Sequence, residues 1–293
     1  MSNSSFIAAC VQMNSGTNVA KNMADATRLI RQAAAAGAHY VQTPEMTTIV
    51  DQNRKALEAA IEPQSNNSSV AEFSALAKEL NIWLHIGSMA VALDAAKEGP
   101  KIANRAFLFQ PDGVAAAQYD KIHMYDVDLD NGESWRESNA YRPGDEAVLC
   151  EINPNSAAAT LGLAICYDVR FAAVFRDYAQ HGANVLGAPS AFTKQTGEAH
   201  WHILQRARAI ENGAFMISAA QVGHHEDGRD TYGHSMIVDP WGVILAEADG
   251  LHEGVITASI SPDAARAARA KIPALSNGRP YKFSGSTCSE TAA

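Results

Sequence analysis

The sequence has few of the features that mark secreted, membrane-bound or nucleic-acid-binding chains. Only four cysteines occur in 293 residues: Cys10, Cys150, Cys166 and Cys288. None forms a C-x-x-C pair, which excludes a zinc ribbon or a thioredoxin-type motif. Four cysteines so widely spread do not make a disulfide framework either. No run approaches the ~18 apolar residues of a membrane span. The opening MSNSSFIAACVQM lacks a basic segment, so no signal peptide is expected. Charged residues are sparse at 19%, and acidic ones outnumber basic ones by 32 to 23. With no basic run, the footprint of a nucleic-acid binder is missing. P-loop, G-x-S-x-G and H-E-x-x-H motifs are absent, and no G-x-G-x-x-G opens a helix after a strand. The chain is therefore expected to be cytoplasmic and reduced. It should act on a small molecule without cofactor or metal, and without nucleic-acid or membrane partners.

What is present is a hydrophobic fraction of 47%, enough for a large core. Alternation predicts a strand over 5–13. Helical spacing over 19–36, stopped by Gly37, predicts a helix. A short strand over 39–42 runs into Thr43-Pro44-Glu45. A helix over 69–80, a strand over 82–89 ending near Gly87, and a hairpin over 102–110 and 114–121 about Pro111-Asp112-Gly113 follow. Residues 124–147 read as a long polar irregular connection, of the kind that tends to carry function. Strands are predicted over 148–152, 161–166, 185–188, 215–220 and 255–260, with helices over 171–181 and 198–211. Residues 235–238 and 243–246 flank a second hairpin turn, and Ser261-Pro262 opens a last helix. Strand–helix–strand units mixed with hairpins predict an α/β chain of mixed sheets with helices on their faces. A single domain over 1–293 is expected, with a polar tail after about residue 274.

One cysteine stands apart. The segment TLGLAICYDVRF places Cys166 at the end of an apolar strand, just before a helix. The positive end of a helix dipole there would favour a thiolate, and outward-pointing N–H groups could hold an oxyanion. The other three cysteines lie in strand patterns or in the tail. A thiol nucleophile needs a base, and no histidine is placed at the same sheet end by the sequence. Two other strand ends do carry suitable groups, Glu45 and Lys121. If these ends adjoin, carboxylate, ammonium and thiol converge, with the carboxylate as base and the ammonium as oxyanion partner.

With TPEM around Glu45, YDKIHMYDVD around Lys121 and GLAICYDVRF around Cys166, the chain resembles the nitrilase superfamily of carbon–nitrogen hydrolases. Members carry a Glu–Lys–Cys catalytic set in this order. The resemblance runs from about residue 6 to 280. It implies a four-layer αββα sandwich and a homodimer or larger homo-oligomer, with a C-terminal arm around Arg279-Pro280-Tyr281 reaching a partner subunit. It also implies a second glutamate after the lysine, which ESNAYRPGD supplies as Glu137; Glu133 lies four residues earlier. True nitrilases have Trp-Glu after the cysteine, where this chain has Tyr167-Asp168, which implies amide substrates. PSAFTKQTGEAHWHILQRARAIENG and TYGHSMIVDPWG resemble the Nit branch, which contains omega-amidases and deaminated-glutathione amidases.

The expected chemistry is thioester formation on Cys166. Glu45 serves as base, and Lys121 and the Tyr167 N–H act at the oxyanion. Glu137 positions Lys121 or the substrate. Arg170 and Thr193 are candidates to hold a substrate carboxylate, against a structural pairing of Arg170 with Asp168 or Asp177. The expected activity is release of ammonia from the ω-amide of a small carboxylic acid, such as an α-keto acid. An N-carbamoyl amide hydrolase and a non-catalytic interaction module on the same fold are the alternatives. The histidines do not compel a metal. His200 and His202, two apart on a helix, point to different faces. His224-His225-Glu226 reads as a solvated polar loop, and Trp201 as a packing residue.

Overall fold

The structure is a computed structural model, and it describes residues 5–93, 102–129, 132 and 134–284. Cys288 and Glu133 lie outside the described residues. Five strands open the chain: β1 (Phe6–Gln12), β2 (Tyr40–Gln42), β3 (Trp83–Ala92), β4 (Ile102–Phe109) and β5 (Ala115–Asp120). Helices α1 (Val19–Ala35), α2 (Arg54–Ala60) and α3 (Ser68–Leu80) lie among them. Next come a small hairpin, β6 (Asp126–Asp128) and β7 (Ser134–Arg136), then β8 (Val148–Ile152) and β9 (Ala159–Leu163). Helix α4 (Ala172–Gln180), β10 (Val185–Gly187), α5 (Lys194–Asn212) and β11 (Phe215–Ser218) follow. Last are β12 (Val222–His224), β13 (Asp230–Tyr232), β14 (Met236–Val238), β15 (Ile244–Glu247), β16 (Gly254–Ile260) and α6 (Pro262–Lys271).

Two six-stranded sheets result, in the orders β16-β1-β2-β3-β4-β5 and β15-β14-β11-β10-β9-β8. Strand β1 shows how they stack. Its successive side chains point to opposite faces. Ala8 and Cys10 enter the core shared with Leu161, Leu163 and Met216 of the second sheet. Ala9 and Val11 face Leu29 and Ile30 of α1 and Phe73 and Leu76 of α3. Phe175 and Trp201 bring α4 and α5 onto the other sheet. The layers are helix, sheet, sheet, helix, as the resemblance implied. Both faces of β1 are buried, which explains its near-continuous apolar sequence.

Three expectations need correction. Residues 124–147 are not wholly irregular, since β6, β7 and a 3₁₀ turn at Glu137–Asn139 lie within them. Strand β3 does not stop near Gly87 but continues to Ala92. A Cβ at Gly87 would meet the Thr43 carbonyl at 2.1 Å, so the glycine admits the neighbouring turn instead of ending the strand. The 224–226 run is solvated only at His224 and Glu226. His225 is fully buried, with Nδ1 2.8 Å from the Ser15 carbonyl and Nε2 2.7 Å from Thr231 Oγ1.

Gln42 ties the sheets together, its Oε1 accepting from the Ala219 N–H at 2.8 Å. Beside it His85 is fully buried, with Nδ1 2.7 Å from the Tyr40 hydroxyl and 3.1 Å from Gln42 Nε2. Burial pushes the His85 imidazole down to about 3. As pH falls below the usual ~6.5, the unfolded chain therefore takes up this proton and the folded chain does not. His85 contributes stability above pH ~6.5 that is lost progressively toward pH ~3, at up to ~1.4 kcal/mol per pH unit. Urea denaturation at pH 6.5 and 5 should show a loss of about 1–2 kcal/mol that His85→Asn lacks. An identical loss in the variant would refute this origin.

Candidate active site

Three chain segments deliver the central side chains. Glu45 follows β2 on the turn that Gly87 admits, and Met46 next to it takes a left-handed φ of 57°. Lys121 directly follows β5, its N–H donating to the Asn104 carbonyl at 2.9 Å. Cys166 does not end its strand. It lies beyond β9, at the start of a 3₁₀ turn over Cys166–Arg170, with φ of 48°. A non-glycine residue held there costs about 1–3 kcal/mol and marks a position the surroundings determine. The Cys166 N–H is fixed on the Pro189 carbonyl at 2.9 Å. Asp168, fully buried, braces the same turn. It accepts from the Ile165 N–H at 2.9 Å, the Tyr119 hydroxyl at 2.7 Å and the His123 N–H at 3.0 Å, so it ties the thiol turn to the lysine strand.

The charged groups converge. Lys121 Nζ donates to Glu45 Oε1 at 2.8 Å and to Glu137 Oε1 and Oε2 at 3.0 and 2.8 Å. Lys121 and Glu45 are 2% and 4% exposed, so neither is a surface residue. Backbone donors hold the carboxylates from behind: Ala191 N–H on Glu45 Oε2 at 2.9 Å and Tyr125 N–H on Glu137 Oε2 at 2.7 Å. Asn104 Nδ2 bridges them, at 3.0 Å from Glu45 and 3.1 Å from Glu137. Burial alone would lower the lysine's proton affinity. The Glu137 and Glu45 carboxylates outweigh it and hold the ammonium well above its usual range.

The thiol runs against the sequence expectation of a dipole-stabilised thiolate. Burial, then the Glu45 carboxylate, push Cys166 well above its usual range, and Lys121 offsets this only in part. The desolvation of a buried sulfur exceeds what one short turn's dipole returns. The resting group is a neutral thiol beside a carboxylate. The Glu45 carboxylate raises the thiol's proton affinity, and the Ala191 N–H, which donates to Glu45 Oε2 at 2.9 Å, lowers it.

Above these groups opens a cavity of about 270 Å³, lined by Tyr125, Trp135, Tyr167, Phe192 and Thr193 among others. Arg170 stands over the Tyr167 and Phe192 rings, 5.8 and 5.5 Å from their centroids, and Nη1 is 3.3 Å from His200 Nδ1. The pairing with Asp168 is not made, because that carboxylate is turned inward. Thr193 Oγ1 pairs with Thr196 Oγ1 at 2.8 Å at the start of α5. A second guanidinium, Arg229, lies 5.1 Å from the Trp135 centroid while its Nε is held by Asp227 at 3.0 Å. The structure thus brings Glu45, Lys121, Glu137, Cys166, Tyr167, Arg170 and Thr193 around one cavity. Asn104, Ala191 and Arg229 were missed. Asn104 sits inside a strand and Ala191 acts through its backbone, so neither carries a sequence signal.

The sequence matches the carbon–nitrogen hydrolase family over residues 7–270. The chain belongs to that family. It is a hydrolase of carbon–nitrogen bonds. A deaminated glutathione amidase from Synechocystis is 36% identical over 270 residues, 92% of this chain and 97% of that protein. The fold matches the Caenorhabditis elegans NitFhit protein with a TM-score of 0.83 and 32% identity, covering 95% of this chain and 66% of that longer one. It also matches Saccharomyces cerevisiae Nit3, a member of branch 10 of the nitrilase superfamily, with a TM-score of 0.80, 27% identity and coverage of 92% and 95%. Among the described residues no helix is long and apolar enough to cross a membrane.

Proposed function

We propose that this hydrolase cleaves the amide of a small carboxylate-bearing acid, of the deaminated-glutathione kind, through a thioester on Cys166. The observation that carries the reading is the buried Glu45–Lys121 ion pair in the lining of the same cavity as Cys166, which Arg170 overhangs. Glu45 takes the thiol proton as sulfur attacks the carbonyl carbon. Lys121 and the Tyr167 N–H act on the oxyanion. Glu45 passes its proton to the departing nitrogen, the C–N bond breaks and the thioester remains. Water then adds, giving Glu45 a proton that returns to sulfur as the acid leaves. Glu137 and Asn104 position Lys121 and Glu45. Arg170 and Thr193 hold a substrate carboxylate, with Arg229 as a second cation at the rim.

The leaving group decides the assay. A primary ω-amide such as 2-oxoglutaramate releases ammonia. Deaminated glutathione releases an amine, cysteinylglycine, so the common 2-oxo acid product is what a panel should measure. Carboxylate-bearing amides should be favoured over neutral amides, nitriles and N-carbamoyl amino acids. Arg170→Ala should raise KM for the former about 10–100-fold and leave neutral amides nearly unchanged, as loss of a charge-assisted hydrogen bond implies. Equal effects on both classes, or turnover confined to carbamoyl substrates, would overturn the reading. We place the enzyme in the cytoplasm as a homo-oligomer, for which exposed Ile203, Ile210, Trp241 and Val243, and Tyr281 in the C-terminal segment, offer apolar surface.

A further inference from the structure

The two histidines of α5 diverge as their spacing requires. His200 faces Arg170 at the cavity rim. His202 turns the other way, where its Nε2 lies 2.8 Å from Glu247 Oε1 on β15. The same oxygen is 2.8 Å from Nδ1 of His234, in the loop between β13 and β14. His202 Nε2, His234 Nδ1 and a Glu247 carboxylate oxygen all lie within 4.8 Å of one another. Three separate elements therefore bring two imidazoles and one carboxylate to a point, none of which the amide chemistry uses.

The arrangement is held from outside. His234 takes a left-handed φ of 56°. Its carbonyl accepts from the buried Trp201 Nε1 at 2.8 Å, and the Tyr232 ring lies 4.4 Å from its own. A Cβ on Gly250 would come 2.7 Å from His234 Nε2, so the ring has a glycine-sized slot. A strained backbone kept in place by its surroundings is a mark of a functional position. The three side chains are between 26% and 32% exposed, which leaves a route for a hydrated ion.

We propose that His202, His234 and Glu247 bind a divalent transition-metal ion of the zinc class and so clamp α5 to β15. Two imidazole nitrogens and a carboxylate oxygen are zinc donors at ~2.0–2.2 Å, with a fourth position left to water. Reaching tetrahedral geometry requires the N···O separations to open by ~0.5 Å. With Glu247 accepting from both rings, each proton sits on the nitrogen that would bind the ion. Metal binding requires that nitrogen free, so a neutral ring carries its proton on the other nitrogen instead. The site is separate from Cys166, so it stands whether or not the amidase reading does.

The test uses the full-length, chelator-treated Cys166→Ala protein, which removes a competing sulfur ligand. Equilibrium dialysis against ZnCl₂ should give one ion per chain and a raised Tm. Co²⁺ should give a visible d–d band without a sulfur charge-transfer band. Glu247→Gln and, separately, His202→Gln should each weaken binding by more than the ~10–100-fold carried by an outer-shell partner. His202→Gln keeps a helix former on α5, and a metal-free Tm matching that of the parent shows that its loss of binding does not reflect misfolding. No uptake of zinc, or uptake and a cobalt band that survive both substitutions, would overturn the proposal.

Discussion

Cys166→Ala is expected to lower amide turnover by roughly 10⁴–10⁶-fold, the scale of losing a covalent nucleophile. The fold should be left intact. The position is buried and left-handed, and alanine meets the same backbone strain as cysteine there, so only the sulfur's packing is lost. Cys166→Ser should be nearly as inactive. A hydroxyl is a far weaker acid than a thiol, and Glu45 already works against the raised affinity of the buried sulfur for its proton. Product assays with thermal melts check both points. Hydroxylamine added to the wild type should divert the acyl group to a hydroxamate, since it attacks the thioester in place of water. A Cys166→Ala enzyme retaining more than about a hundredth of the wild-type rate would end the thioester mechanism.

Part of this site was legible in the chain and part was not, for physical reasons. Glu45, Lys121 and Cys166 each follow a strand, and three motifs in order implied their meeting. Strand and helix periodicity carried most of the two sheets. Helix α2 and the paired strands β6 to β7 and β12 to β13 escaped because they are short and largely polar, without the apolar run that marks the equally short β10 and β14. The turn at Glu137–Asn139 brings Glu137 to Lys121, which spacing within a polar loop does not reveal. Asn104 faces the two carboxylates only through the register of β4, and Arg229 reaches Trp135 from a distant hairpin. His225 looked solvated because Ser15 reaches it from the far N-terminal part of the chain and Thr231 from across the β12–β13 hairpin. The thiol was misjudged because a dipole is read from local sequence, whereas burial is set by tertiary packing.

The second large effect concerns stability as well as rate. Lys121→Met keeps most of the side-chain volume and removes the charge, so Glu45 and Glu137 face each other across Asn104 with no cation between them. Breaking a buried ion pair by deleting one partner costs about 3–5 kcal/mol, because a desolvated charge is left unmatched. Turnover should be lost too, with the oxyanion partner gone. In the variant, at least one carboxylate is held above its unfolded-state pKa by its like-charged neighbour. Its folded state then binds the extra proton, so the variant is least impaired below pH ~4 and loses stability as pH rises through the folded-state value. Adding Glu137→Gln removes one of the two charges. The double variant should recover about half or more of the lost stability and none of the activity. That split distinguishes an electrostatic role from simple packing: a packing defect at residue 121 would persist in the double variant and show no such pH slope. Urea denaturation of the three proteins at pH 5 and 8, beside product assays, decides it, and a Lys121→Met protein as stable as the wild type at pH 8 would refute the argument.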